Sequence, residues 1–194
     1  MKFSRLAAGL GLAVVLSAVA VAAEPLTSGP QVDDKVVTPF APLNINGESA
    51  GDMNCLVCQN QDNPVVMIFA REITPELTKL VKRVDQITAK HKDAQMGSFV
   101  VFCQDREGLR DELKAMARDQ ELKNLVLSIW TQPKSADGPN PIRKYRVSPD
   151  ADVTVVLYTD NKVKANYAFR KGELTEKDVD AIVAAVPGKI LPKN

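Results

Sequence analysis

Histidine is nearly absent from this chain of 194 residues, since His91 is the only one. It lies between Lys90 and Lys92, and we interpret it as a solvated surface residue rather than a ligand or general base. Catalytic sites of the Ser-His or Cys-His type, and metal sites built on several histidines, are therefore disfavoured. Cys58 is followed by Gln59, so the covalent haem motif, which needs histidine at that place, is missing.

An excess of charge of one sign is also missing. The chain has 25 Lys and Arg against 24 Asp and Glu, and the two signs are interspersed. This balance argues against a nucleic-acid partner or an electrostatic membrane surface. Beyond residue 21, no segment is long and apolar enough to cross a bilayer.

The amino terminus has the pattern of a targeting signal. Lys2 and Arg5 precede a short apolar run that ends in small residues, and this predicts a signal peptide over residues 1–23. An uncleaved anchor is the alternative interpretation. We expect a flexible leader over 24–35, a single domain over 36–190, and an exported protein in the periplasm or outside the cell.

The remaining pattern predicts an α/β domain. Apolar runs at 65–69, 99–103 and 125–130 predict buried strands, with helices between them, and 152–169 predicts an antiparallel hairpin before a last helix. Thr74 and Pro75 form a helix start signal, and Pro187-Gly188 a stop signal. Residues 36–47 predict a short β-hairpin or extended cover.

Three cysteines are present, and in an exported protein disulfides persist. Cys55 and Cys58 form a Cys-x-x-Cys pair in a polar loop, residues 49–63, ahead of the first strong strand. The spacing permits a redox-active pair, a structural bridge within the pair or from Cys58 to Cys103, or soft metal binding. Metal is the weakest of these, because a second pair of ligands is missing. Cys103 fits either a small buried apolar residue or a resolving thiol.

The order of elements and several short strings resemble the thioredoxin-like superfamily. The similarity is to the branch of peroxiredoxins and extracytoplasmic thiol–disulfide proteins. The matching strings are Pro39-Phe40 before the glycine turn at Gly47, the strand 65–69, Cys103-Gln104-Asp105, and the hairpin from Asp152. The resemblance implies a three-layer fold with a central mixed sheet, in the order βαβαββα, and an N-terminal β-hairpin.

The sequence departs from this superfamily where its chemistry is placed. The usual cysteines belong at the start of the helix after the first strand, and there the chain has Thr74-Pro75-Glu76-Leu77. Arg71 and Glu72, just before, are expected to be a solvated pair. The cis proline expected near Val153 is also missing.

Two functions remain open. The first is thiol–disulfide oxidoreductase activity through Cys55 and Cys58, with Cys103 as a further candidate catalytic residue. It needs a thiol–disulfide partner protein and no organic cofactor or metal. The second is a non-catalytic binding module, in which the cysteines form a structural disulfide.

Overall fold

The computed structural model describes residues 25–36, 40–131 and 141–192. The predicted signal peptide, residues 1–23, lies outside the described residues. The elements follow one another in the order β1 (Leu43–Asn44), α1 (Leu56–Asn60), β2 (Val65–Ala70), α2 (Pro75–Lys90), β3 (Gly97–Phe102), α3 (Leu109–Asp119), β4 (Val126–Ile129), α4 (Pro141–Lys144), β5 (Val153–Thr159), β6 (Lys162–Phe169) and α5 (Glu176–Ile190).

The strands form one mixed sheet in the order β1-β4-β3-β2-β5-β6. The central strands β2, β3 and β4 are parallel, whereas β5 runs antiparallel to β2 and forms a hairpin with β6. The predicted mixed α/β sheet is therefore confirmed. The parallel centre explains the continuous apolar runs, since both faces of these strands are covered.

Alternate side chains of the central strands enter two separate cores. Val66 and Ile68 of β2 join a core against the long helices α2, α3 and α5. Val65 and Met67, on the opposite face, join a second core that also takes side chains from β3, β5 and β6, from α1, and from the segments that carry Phe40, Trp130 and Tyr145. This period of two divides the domain into three layers, with the short helix α1 on the face opposite the long helices.

The carboxyl-terminal helix is longer than its stop signal indicates. Pro187 and Gly188 lie inside α5, which continues to Ile190. Proline removes one helical hydrogen bond, but Ile190 is 2% exposed and belongs to the main core. Burial of Ile190 stabilises the last turn enough to offset that loss.

The amino-terminal part differs from expectation in its details. In the described part of residues 36–47, Leu43 and Asn44 pair with β4 at the sheet edge, and Leu43 also forms an isolated bridge to Met53. The expected N-terminal hairpin is thus represented by a two-residue strand and one bridge.

The segment expected to be a flexible leader is partly packed. Ser28 is fully buried, and its hydroxyl lies 2.7 Å from that of Thr154. It also accepts a hydrogen bond from the backbone N–H of Ser148, at 3.0 Å. These contacts attach residues 28–30 to the hairpin side of the domain.

Among the described helices, none has the length and apolar character that a membrane span requires.

Candidate redox site

The cysteine pair is carried by α1, a helix of five residues that the sequence pattern did not predict. Cys55 is its N-cap, and Leu56 and Val57 are buried in the core on this face of the sheet. A helix turns by about 100° per residue, so fixing these two side chains inward sets Cys58 and Gln59 toward solvent. The packing of two apolar residues thus determines which sulfur is presented to solvent.

Cys55 and Cys58 are joined by a disulfide, with their Cα atoms 5.2 Å apart. Cys58 is exposed, whereas Cys55 is half-buried and contacts the core beneath it. The backbone N–H of Cys58 donates a hydrogen bond to Sγ of Cys55, at 3.2 Å. The two sulfurs therefore differ both in access and in hydrogen bonding.

The far end of α1 is held against the sheet. Nδ2 of Asn60 donates to the carbonyl of Leu56 at 2.7 Å, and the Asn60 side chain lies against Gly97 at the start of β3. Beyond the helix, the carbonyl of Asp62 accepts from the N–H of Asp160, in the turn between β5 and β6, at 2.9 Å. The disulfide therefore sits on a short but anchored element.

A groove of about 890 Å³ opens beside Cys58. It lies where residues 33–36 meet the β5–β6 turn, and its lining comprises Asp33, Lys35, Val36, Val57, Cys58, Gln61, Asp160, Asn161 and Lys162. Its charges are mixed in sign. Lys162 pairs with Asp33 at 2.8 Å, and this hydrogen bond lowers the pKa of the Asp33 carboxyl. Lys35 makes no ion pair with any residue that the structure describes.

Cys103 lies away from the Cys55–Cys58 pair. It is a free thiol that directly follows β3, at the opposite end of that strand from Gly97 and the Asn60 side chain. Six residues of extended strand span about 20 Å. Its N–H donates to the carbonyl of Ala70, and burial raises the pKa of its thiol to about 12. At neutral pH such a thiol holds its proton, so little of it is nucleophilic.

The place where the superfamily keeps its cysteines is occupied by structural contacts. Oγ1 of Thr74 accepts from the N–H of Leu77 at 3.1 Å and caps α2. Arg71 donates from its side chain to the carbonyls of Ala151, at 2.8 Å, and Ser148, at 3.1 Å. The expected solvated pair of Arg71 and Glu72 is therefore wrong. Arg71 is half-buried and ties two loops together, and Glu72 pairs with Lys171 instead.

Other features of that site are also absent or altered. The described residues contain no cis peptide bond. Asp152, which precedes β5, is 8% exposed, and burial together with the Glu72 charge raises the pKa of its carboxyl. Trp130 is buried in the core beneath α1, in edge contact with Phe40.

Sequence reasoning did not find the groove. Part of its lining comes from α1 and the rest from residues 33–36 and 160–162, which pair with each other through the bridge between Lys35 and Lys162. The available signal was weak: the antiparallel hairpin over 152–169 was predicted from the sequence, but nothing local to residues 33–36 indicated that they pair with its turn.

Solved structures with this fold are known. The chain superposes on a proposed protein disulfide isomerase from Bacteroides thetaiotaomicron with a TM-score of 0.59 and 13% identity, covering 85% of this chain and 94% of that one. Peroxidoxin BcpB from Mycobacterium tuberculosis superposes with a TM-score of 0.56 and 15% identity, covering 82% of this chain and 97% of that one. A proposed thiol:disulfide interchange protein DsbE from Chlorobium tepidum superposes with a TM-score of 0.51 and 19% identity, covering 84% of this chain and 99% of that one.

No protein-family model matches the sequence, and no curated protein matches it. The structural neighbours nevertheless share its architecture over more than four fifths of its length. The chain therefore has a thioredoxin-like fold. Within that fold its paired cysteines lie on α1, ahead of the central strand β2, and not at the start of α2.

Proposed function

We propose that this protein exchanges electrons with a partner thiol–disulfide protein through the Cys55–Cys58 disulfide. The observation that carries the proposal is the exposure of Cys58, which presents one sulfur of a closed pair beside an open groove. Exchange needs a thiolate to reach a disulfide sulfur, and that access is available here. No organic cofactor is required, because the electrons come from the thiols of the partner.

The small size of the bridged loop supports an exchange role over a stabilising one. By loop-closure entropy, a bridge between residues three apart stabilises a fold by only about 2 kcal/mol. Exposed disulfides also tend to have higher reduction potentials than sealed structural ones. The Cys55–Cys58 bridge therefore adds little to the stability of the fold, and its exposed position favours reduction.

Two of the structural neighbours are named as thiol–disulfide proteins, and this likeness of fold supports the proposal as an analogy. We propose that the protein is exported, through the predicted signal peptide of residues 1–23, to the periplasm or the extracellular space. Disulfides persist in such compartments, which is consistent with the closed pair. We give Cys103 no part in the exchange, because of its distance from α1 and its raised pKa.

A second candidate function is a non-catalytic binding module in which the disulfide stiffens α1. It is favoured by the segment from the end of β2 to the start of α2, where Arg71 and Thr74 make structural contacts and no cysteine is present. In this case the Cys55–Cys58 bridge would stay closed throughout the working life of the protein.

A redox titration separates the two functions. The Cys103→Ser variant is equilibrated with thiol buffers of graded potential, trapped with an alkylating agent and weighed by mass spectrometry. A redox pair is expected to titrate between about −120 and −270 mV, whereas a structural bridge resists reduction to about −300 mV. A pair that stays closed across the whole series would overturn the exchange function and leave the binding module.

A further inference from the structure

We propose that Cys58 is the sulfur attacked by the incoming thiol and that Cys55 is the leaving and resolving sulfur. This inference rests on the proposed exchange function and adds the direction of attack. The mixed disulfide with the partner therefore forms on Cys58, the second cysteine of the pair in the sequence, and not on Cys55, the first.

Access is the first argument. An attacking thiolate must approach along the line of the disulfide, from the side opposite the leaving sulfur. Cys58 is exposed and lines the groove formed with Val36, Val57 and Gln61. Cys55 is half-buried and packs against the core beneath α1. Cys58 is therefore the cysteine that an incoming thiol meets in the groove, whereas the apolar core covers part of Cys55.

Stabilisation of the leaving thiolate is the second argument. Sγ of Cys55 already accepts a hydrogen bond from the N–H of Cys58, at 3.2 Å. When the disulfide opens, negative charge develops on this sulfur, and a donor already in position strengthens its hydrogen bond as the charge grows. A better stabilised thiolate leaves faster, so the same contact that caps α1 favours the departure of Cys55.

The electrons and bonds balance in both directions. The thiolate of the partner attacks Sγ of Cys58, the bond between Cys58 and Cys55 breaks, and Cys55 departs as a thiolate. A second thiolate of the partner then attacks the partner's own sulfur in the mixed disulfide and releases Cys58 as a thiolate, so the partner is oxidised and the pair is reduced. In reverse, Cys58 attacks a substrate disulfide, and Cys55 resolves the mixed disulfide by attacking Sγ of Cys58.

The test places glutathione on one sulfur or the other. The Cys103→Ser protein, with the pair oxidised, is mixed briefly with reduced glutathione, quenched with acid, and mapped by peptide mass spectrometry. We expect the glutathione adduct on Cys58. Adduct found mainly on Cys55 would overturn the direction of attack while leaving the exchange function intact. A pair that no thiol opens would overturn both.

Single-cysteine variants give a second, independent measurement. Cys55→Ser and Cys58→Ser, each combined with Cys103→Ser, leave one thiol to react with a chromogenic disulfide reagent. Urea unfolding of both variants shows whether each is folded under the assay conditions. We expect the remaining Cys58 to react roughly tenfold faster than the remaining Cys55, compared at equal thiolate fraction. Equal rates, or a faster Cys55, in folded variants would contradict the assignment.

Discussion

The side chain of Asn60 occupies the space where any residue larger than glycine would place its Cβ at position 97. A Cβ built on Gly97 would overlap Oδ1 of Asn60, whose Nδ2 donates to the carbonyl of Leu56 at 2.7 Å. The last turn of α1 and the first residue of β3 therefore depend on each other. Because α1 carries the disulfide, this contact links the sheet to the candidate site.

Gly97→Ala is expected to destabilise the protein and to loosen α1. The added methyl group must displace Asn60 and break its hydrogen bond, at a cost of about 1–3 kcal/mol in the free energy of unfolding measured in urea. Gly188→Ala is the matched control, because a Cβ there meets nothing within 4 Å and lies in α5. It should be neutral or slightly stabilising.

The combination of Gly97→Ala with Asn60→Ala tests the proposed cause. Removing the Asn60 side chain makes room for the methyl group, so the double variant should lose clearly less stability than the sum of the single variants. Strict additivity of the two effects would contradict a direct contact between these residues.

Lys35 is expected to tune which thiols react with the pair. It lines the groove beside Cys58 and has no ion-pair partner among the described residues, whereas Lys162 in the same groove is paired with Asp33. Asp160 supplies the opposing charge. Reversing the charge in Lys35→Glu should slow reduction by anionic glutathione a few-fold and speed reduction by cationic cysteamine, because charge in a groove steers approach.

The control for this effect is Lys177→Glu. Lys177 is exposed on α5, on the opposite face of the sheet from α1, so the same change in net charge should leave both rates close to those of the unsubstituted protein. The Lys35 effect should also shrink when the salt concentration is raised to about 1 M, where the screening length falls to about 3 Å. A change in rate that does not depend on salt concentration, or that Lys35→Glu and Lys177→Glu share, would exclude electrostatic steering by the charge at residue 35.

Cys103 is expected to make stability depend on alkaline pH. Burial raises the pKa of its thiol to about 12 in the folded state, above the ordinary value of 9.0. The folded state therefore favours the protonated thiol, and this contribution is complete below pH 9 and declines as pH rises toward 12. The loss can reach about 1.4 kcal/mol per pH unit in that window.

Comparison with Cys103→Ala separates the contribution of the Cys103 thiol from that of the other groups that titrate at high pH. The difference in unfolding free energy between the two proteins should be constant from pH 6 to pH 8 and should shift in favour of the variant above pH 9. At neutral pH, Cys103 should also react with iodoacetamide more slowly in the folded protein than in urea. A difference in stability that stays flat up to pH 11 would contradict the raised pKa.

Local signals in the sequence predicted most of the fold, because they act within single elements. Thr74 and Pro75 start α2, as their capping and backbone preferences require. The unbroken apolar run of β2 matches its burial on both faces. Pro187 misled the prediction of the last helix end, because the burial of Ile190, a contact outside the local pattern, outweighs the missing hydrogen bond.

The candidate site was predictable only as a pair of residues. The spacing of Cys55 and Cys58 identified them, but α1 is too short to show helical periodicity, so its existence and orientation could not be read from five residues. The orientation comes from Leu56 and Val57, which pack on a sheet formed by later strands. Exposure of Cys58 is thus a tertiary property, and the separation of Cys103 from the pair is another.

Reduction of the disulfide is expected to weaken the fold only slightly. The bridge closes a loop between residues three apart, and the loop entropy that it removes from the unfolded chain corresponds to about 2 kcal/mol. After reduction, Leu56 and Val57 still anchor α1, and the Cys55 sulfur can still accept from the N–H of Cys58. Urea unfolding of the Cys103→Ser protein, oxidised and reduced, should therefore differ by about 2 kcal/mol or less. A loss of about 4 kcal/mol or more would mean that the bridge holds the domain together, and would favour the binding module over the exchange function.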